Sequence, residues 1–206
     1  MRSSLAALCL AGVLTFFSVT AALAAPAGSV VGLSGQCFLE SGGSRAALRL
    51  GAQVQVGDTV DVPADGKLKL RMVDGSIVSV ASGSRMTVTS FGVDANGQRR
   101  EAKLALSQGL LRAEVSPTAQ PAGFEVDTAV GTAAVRSTDW FVRTDRASMQ
   151  VGVLAGSVDM TSLATRRAVN IPARWGARLE AGRDPVPPRV WTEAEFNDVI
   201  ARTTVP

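Results

Sequence analysis

The 206-residue chain has no histidine, no tyrosine and two cysteines, and its 21 basic residues nearly balance 18 acidic ones. Without histidine there are no Ser-His or Cys-His nucleophile pairs, no usual general base near neutral pH and none of the commonest transition-metal ligand, and two cysteines cannot build a Cys-rich zinc site. A net charge of +3, with Arg99-Arg100 and Arg166-Arg167 as the only adjacent basic pairs, gives no footprint for nucleic acid, and both pairs read as solvated turn residues.

The first element is a secretory signal over residues 1–24. Arg2 is followed by an apolar run from Leu5 to Ala24 that closes on Ala22-Leu23-Ala24, so cleavage before Ala25 is predicted. About 20 apolar residues also suffice to span a bilayer, which makes an uncleaved inner-membrane anchor the competing reading. The interruptions at Thr15, Ser18 and Thr20 and the Ala-rich end favour cleavage. Cys9 lies inside the run behind Leu8, a position that does not suit lipidation, and it leaves with the signal. Cys37 is then the single cysteine of an exported or periplasmic chain, so no internal disulfide forms. It reads as a small buried apolar residue rather than as a thiol that pairs two chains.

From Gly28 to about Leu179 the apolar residues alternate with polar ones and turn residues recur every eight to twelve positions, which predicts an all-β domain over residues 25–181. In Lys67 to Met72, Leu68, Leu70 and Met72 point one way and Lys67, Lys69 and Arg71 the other. Asp65-Gly66, Asp74-Gly75 and Asn96-Gly97 each offer a hairpin turn. Met86 and Val88, then Ala102, Leu104 and Leu106, then Leu111, Ala113 and Val115 continue the alternation, with Gly109 between the last two sets. Phe124 and Val126, Trp140 and Val142, Met149, Val151 and Val153, and Val158 and Met160 repeat it downstream, with Gly156 as a turn. An antiparallel roll or sandwich of short hairpin-connected strands buries these one-sided faces.

After Gly182 the run Arg-Asp-Pro-Val-Pro-Pro-Arg predicts an extended, Pro-rich surface connector over residues 182–191. One short C-terminal helix is predicted over 192–203. Thr192 and Glu195 form a capping box, and Trp191 can staple onto Phe196. Phe196, Val199 and Ile200 share one face, which must dock, and docking within the chain is favoured over docking on a partner.

Paired carboxylates could hydrolyse glycosides without histidine. Asp58, Asp61, Asp65 and Asp74, however, fall near strand ends and Gly turns, where Asp forms backbone hydrogen bonds. Asp94-Ala-Asn-Gly-Gln lacks a full calcium-ligand series and reads as a hairpin turn. No catalytic, cofactor-binding or metal-ligating residue is therefore assigned, no cofactor is implied, and the binding residues stay open. Arg136 and Asp139 are expected to form a structural pair and Trp140 to anchor the core, as are Trp175 and Trp191. An exposed Trp175 near a β edge would instead suit stacking on a sugar or gripping a protein.

The segment Phe124 to Val142 resembles the signature of FecR-type periplasmic domains: an F-x-V-x-T strand, a small-residue turn and an A-V-R-G-T-x-F-x-V strand. Phe124, Val126, Thr128, Ala134, Val135, Arg136, Thr138, Phe141 and Val142 fill the pattern. Ser137 stands in place of the family's Gly, and Trp140 adds an aromatic beside Phe141. The resemblance implies a periplasmic β domain of the kind that, in FecR-like signalling proteins, receives a signal from an outer-membrane receptor and relays it across the inner membrane to a sigma factor. Only a few residues precede the apolar run, so no sigma-binding segment is expected. The reading is a non-catalytic exported binding, scaffold or signalling module that contacts an envelope protein or envelope polymer, touching membrane only through an uncleaved signal. An inner-membrane-anchored sensor is the alternative, and a carboxylate-type enzyme a remote one.

Overall fold

In the computed structural model, residues 25–119 and 122–205 are described; the predicted signal segment and Cys9 lie outside them. The period-two segments all become strands. The first half of the chain forms β1 (Pro26–Ser34), β2 (Phe38–Ser41), β3 (Ser44–Ala47), β4 (Gln53–Gln55), β5 (Thr59–Val62), β6 (Lys67–Met72), β7 (Ile77–Val80) and β8 (Ser84–Val93). A 16-residue strand, β9 (Arg99–Glu114), follows. The second half forms β10 (Phe124–Asp127), β11 (Gly131–Val135), β12 (Asp139–Thr144), β13 (Ser148–Ala155), β14 (Ser157–Ser162), β15 (Ala168–Pro172), β16 (Trp175–Glu180) and β17 (Arg189–Val190), before helix α1 (Glu193–Thr203).

These strands make two layers. Sheet I runs β4-β1-β6-β7-β9-β12-β13-β16-β17. Sheet II runs β3-β2-β5-β8-β9-β10-β11-β14-β15. The strand β9 is central to both: Arg99–Gln108 pairs with β8 in sheet II, and Gly109–Glu114 pairs with β12 in sheet I. Each layer thus takes one wing from residues before β9 and the other from residues after it. Only β10 on β9 is parallel among the described pairs. One continuous core joins the layers, with Leu68, Leu70, Val78, Leu111, Trp140 and Val151 of sheet I and Val60, Met86, Leu104, Phe124 and Met160 of sheet II wholly buried. The all-β roll or sandwich with one short helix is the observed fold.

Three sequence expectations need correction. Gly109 does not separate two strands; at φ 98° it lets one strand cross from sheet II to sheet I. A Cβ there would overlap Ser84, whose Oγ accepts the Leu110 N–H at 2.9 Å and so holds the crossing. Asp65-Gly66 closes no hairpin, since β5 lies in sheet II and β6 in sheet I; the turn is a corner between layers. Arg99 is not a solvated turn residue but is 1% exposed. The cause is a register shift between Gly92 and Val93, which leaves Arg100 unpaired and reverses the facing of Arg99.

The helix forms as its sequence signals require. The Thr192 side chain accepts the Glu195 N–H at 3.3 Å, and Glu195 accepts the Thr192 N–H at 2.8 Å. Trp191 and Phe196 staple with ring centroids 5.6 Å apart. The apolar face docks within the chain, on the outer side of sheet I, where Phe196 and Val199 are buried against Leu110 and Phe141.

Candidate functional site

The segment Phe124 to Val142 folds as β10, a turn, β11, a corner at residues 136–138, and β12. Its apolar positions build the core. Phe124 meets Phe91 edge to face at 6.5 Å, and Val126 and Val142 are fully buried. Thr128 closes the first turn, donating its hydroxyl to the Gly131 carbonyl at 2.8 Å and accepting the Gly131 N–H at 3.1 Å. Phe141 leaves the core side and faces α1, with Trp191 5.1 Å away. Trp140 fills the core as anticipated, and its indole N–H finds no acceptor among the described residues.

The corner is held from beneath by Arg99. Its Nη2 donates to the Arg136 carbonyl at 2.8 Å, while Nη1 donates to Asp74 Oδ2 at 2.5 Å and to the Ser116 carbonyl at 3.3 Å. Asp74 in turn accepts the Ser76 N–H at 2.9 Å and the Ser76 hydroxyl at 2.8 Å. The hairpin turn of the first wing is therefore tied, through one guanidinium, to the corner of the second. From above, Thr138 donates to the Ser157 carbonyl at 3.1 Å, and the Val115 N–H donates to the Thr138 carbonyl at 3.0 Å. Nothing in the sequence marked Arg99 and Asp74 as partners; only the bulge and the long-range pairing bring them together.

Asp139 pairs not with Arg136 but with Arg112, which donates from Nε and Nη2 at 2.9 and 2.7 Å. The register explains this, because Phe141 lies opposite Arg112 across β12 and β9, within reach of Asp139 on the same outer face. The hydrogen bond to Asp139 raises the Arg112 pKa, against the opposing effect of burial. Arg136 and Ser137 are left exposed, and Arg136 has no ion-pair partner among the described residues. Ser137 does not adopt a positive φ, so the position does not demand the family's glycine.

Two clefts adjoin the corner and share Ser137, Thr138 and Gly156. One, of about 490 Å³, is lined also by Arg136, Ser157 and Asp159. The other, of about 410 Å³, reaches Gly75, Glu114 and Ser116. Together they offer a free cation and hydroxyl and backbone groups on a rigid corner, a surface suited to polar contact.

Three of the four carboxylates weighed as reactive are engaged elsewhere. Asp58 accepts the Gln55 N–H at 2.8 Å, Asp61 pairs with Arg45 at 2.7 Å, and Asp74 is committed to Arg99. Asp94 accepts the Asn96 N–H at 2.9 Å in the anticipated hairpin turn. Among the described residues no group of three or more Cys, Asp or Glu side chains gathers as a metal site, and no helix is long and apolar enough to cross a membrane. Trp191 is buried, whereas Trp175 is 36% exposed beside Val190 at the β16–β17 margin.

Two crystal structures of an anti-sigma factor candidate from Parabacteroides distasonis, at 1.65 and 2.50 Å resolution, share this fold with a TM-score of 0.56 at 14% identity. Each match covers 68% of this chain, which spans 62% of the length of the matched one. No curated protein matches. Residues 58–159, from the start of β5 into β14, match the family described as FecR protein. With the signature corner inside that span and the all-β fold around it, residues 58–159 of the chain are a domain of the FecR family.

Proposed function

We propose that this chain is an exported, non-catalytic FecR-domain module that regulates envelope signalling by gripping another protein through the corner at Arg136 to Thr138. The observation that carries the reading is the construction of that corner. A buried ion pair, two ladder strands and the Thr138 hydroxyl fix its backbone, while its outward residues engage nothing among the described residues. A rigid backbone with free polar groups loses little freedom on binding, which favours recognition over chemistry. The family membership and the fold likeness to an anti-sigma factor candidate support a signalling role.

A photo-crosslinking amino acid at Ser137, compared with one at Glu101 on the exposed face of sheet II, tests this in cells. Adducts with one envelope protein from position 137 alone are expected. Equal adduct patterns from both positions would remove the corner from the binding surface, and capture of glycan instead of protein would move the partner to an envelope polymer. The apolar run Leu5 to Ala24 supports export. Mass measurement decides between cleavage and anchoring, since an exported protein that keeps residues 1–24 is the anchored sensor.

A further inference from the structure

Phe141, Gly152 and Gly176 are cross-strand neighbours on the outer face of sheet I, the side on which Trp191 and α1 pack. Two residues further along the same strands, Arg143, Gln150 and Arg178 form a second row, again direct partners across β12, β13 and β16. Their chain neighbours Val142, Met149 and Leu179 are wholly buried in the core, so alternation turns all three side chains outward. Over this second row α1 leaves a cleft of about 530 Å³. Its walls include Arg143, Gln150, Arg178, Asp145 and, from the last turn of α1, Arg202. Gly83 also lines it, and a Cβ there would meet nothing within 4 Å.

The donors of this cleft are scarcely used by the chain itself. Among the described residues the three guanidiniums and the Gln150 amide make a single hydrogen bond, from Arg143 Nη2 to Asp198 Oδ2 at 3.2 Å. Arg202 lies 3.7 Å from that same oxygen, and Arg178 lies 3.5 Å from Glu180. Two cations therefore share one carboxylate oxygen. Asp145 is committed to its own turn, where it accepts the Ala147 and Ser148 N–H groups at 2.8 and 2.7 Å and the Ser148 hydroxyl at 3.3 Å.

Arg143 and Arg178 stand two strand spacings apart, about 10 Å, so their guanidiniums reach one anion from opposite sides with Gln150 between them. The carboxylates around the cleft decide what kind of anion suits it. Asp145, Asp198 and Glu180 repel a polyanion such as nucleic acid or an anionic bilayer, yet they accept hydrogen bonds from hydroxyl groups. Past Arg143 and Gln150 lies a second hollow of about 350 Å³ that reaches Trp191 and Ala194, which gives room for more than a lone ion. One acid group on a polyhydroxy body meets all of these conditions.

We propose that this cleft binds an acidic sugar, its carboxylate held between Arg143 and Arg178 with Arg202 beside it, and its hydroxyls turned to Gln150 and the surrounding carboxylates. The site lies on the outer face of sheet I and does not rest on the corner at Arg136.

NMR titration of the full chain with a galacturonic acid trisaccharide tests it. Binding in the millimolar range or tighter is expected, with none to the neutral galactose trisaccharide. Arg178→Gln and Arg202→Gln remove one cation each from opposite walls, and either should weaken binding about tenfold or more, the worth of one charge-assisted contact. Arg49→Gln removes an exposed arginine that does not line the cleft and should leave binding unchanged. Native β circular dichroism qualifies each variant, and one cleft variant that folds suffices. Absent binding, equal binding of the neutral sugar, or undiminished binding by a folded cleft variant overturns the proposal. Sedimentation with phosphatidylglycerol vesicles that needs Arg178, without trisaccharide binding, also overturns it and assigns the cleft to a membrane surface.

Discussion

The guanidinium of Arg99 donates to the Arg136 carbonyl at 2.8 Å from a site 1% exposed. The same group holds the carboxylate of Asp74 on the other wing of the fold. Removing one member of such a pair leaves a buried charge without its counter-ion. Arg99→Met should therefore cost about 3–5 kcal/mol in urea unfolding, and Asp74→Asn a comparable amount. The double variant should recover part of the loss. Independent, additive losses would show that the two residues act separately.

Gly109 and Gly83 both have positive φ, at 98° and 70°, but only at Gly109 would a Cβ collide, with Ser84. Gly109→Ala should then lose at least about 1 kcal/mol more than Gly83→Ala, because strain and overlap add to the shared backbone penalty. Chemical denaturation of the two variants measures the difference. Equal losses would mean that β9 crosses between the sheets without needing a glycine.

Ser137 lies exposed with an ordinary negative φ. Restoring the family residue by Ser137→Gly should leave the circular dichroism unchanged. It should lower stability by about 0.4–1 kcal/mol, through the greater freedom of the unfolded chain. A gain in stability would point to strain at the corner that its backbone angles do not display.

The Arg189 guanidinium hydrogen-bonded to Glu195, with the Thr192 N–H beside it, lowers the Glu195 pKa from 4.5 to about 2. A depressed carboxylate stabilises the fold above its unfolded pKa and loses that contribution as pH falls through the folded value. Trp191 fluorescence should consequently change as pH falls from 4.5 to about 2, and Glu195→Gln should shift or flatten that transition. An identical acid profile in the variant would assign the transition to other carboxylates.

Burial, with Asp65 and Asp61 nearby, pushes the Cys37 thiol from 9.0 to about 11. Since the thiolate is the reactive form, Cys37 should react about a hundredfold more slowly than a free thiol at pH 8, before any steric protection is counted. Denaturation should expose it. Fast labelling of the native protein would favour the interchain role set aside for this residue.

The β class and the burial of Leu68, Leu70, Met72, Leu104 and Trp140 were legible in the sequence because alternation directly reports which side of a strand is wet. So was the cap of α1, whose signals lie within four residues of one another. Alternation does not say which sheet a strand joins. Asp65-Gly66 looked like a hairpin and proved to be a corner, and Gly109 looked like a break and proved to be a crossing. The Arg99 and Asp74 pair was hidden by a one-residue bulge that inverts the parity of everything before it. Asp139 was assigned to its near neighbour Arg136, although β pairing supplied Arg112 from 27 residues away.

Because β9 is the middle strand of both layers, neither wing owns a complete sheet. A nascent chain that ends before Arg99 leaves β7 and β8 with open edges, one in each layer, and no strand yet made to cover them. Productive folding must therefore wait until Glu114 has been synthesised. Up to that point each layer ends in an unpaired strand, the kind of open edge on which another chain can add.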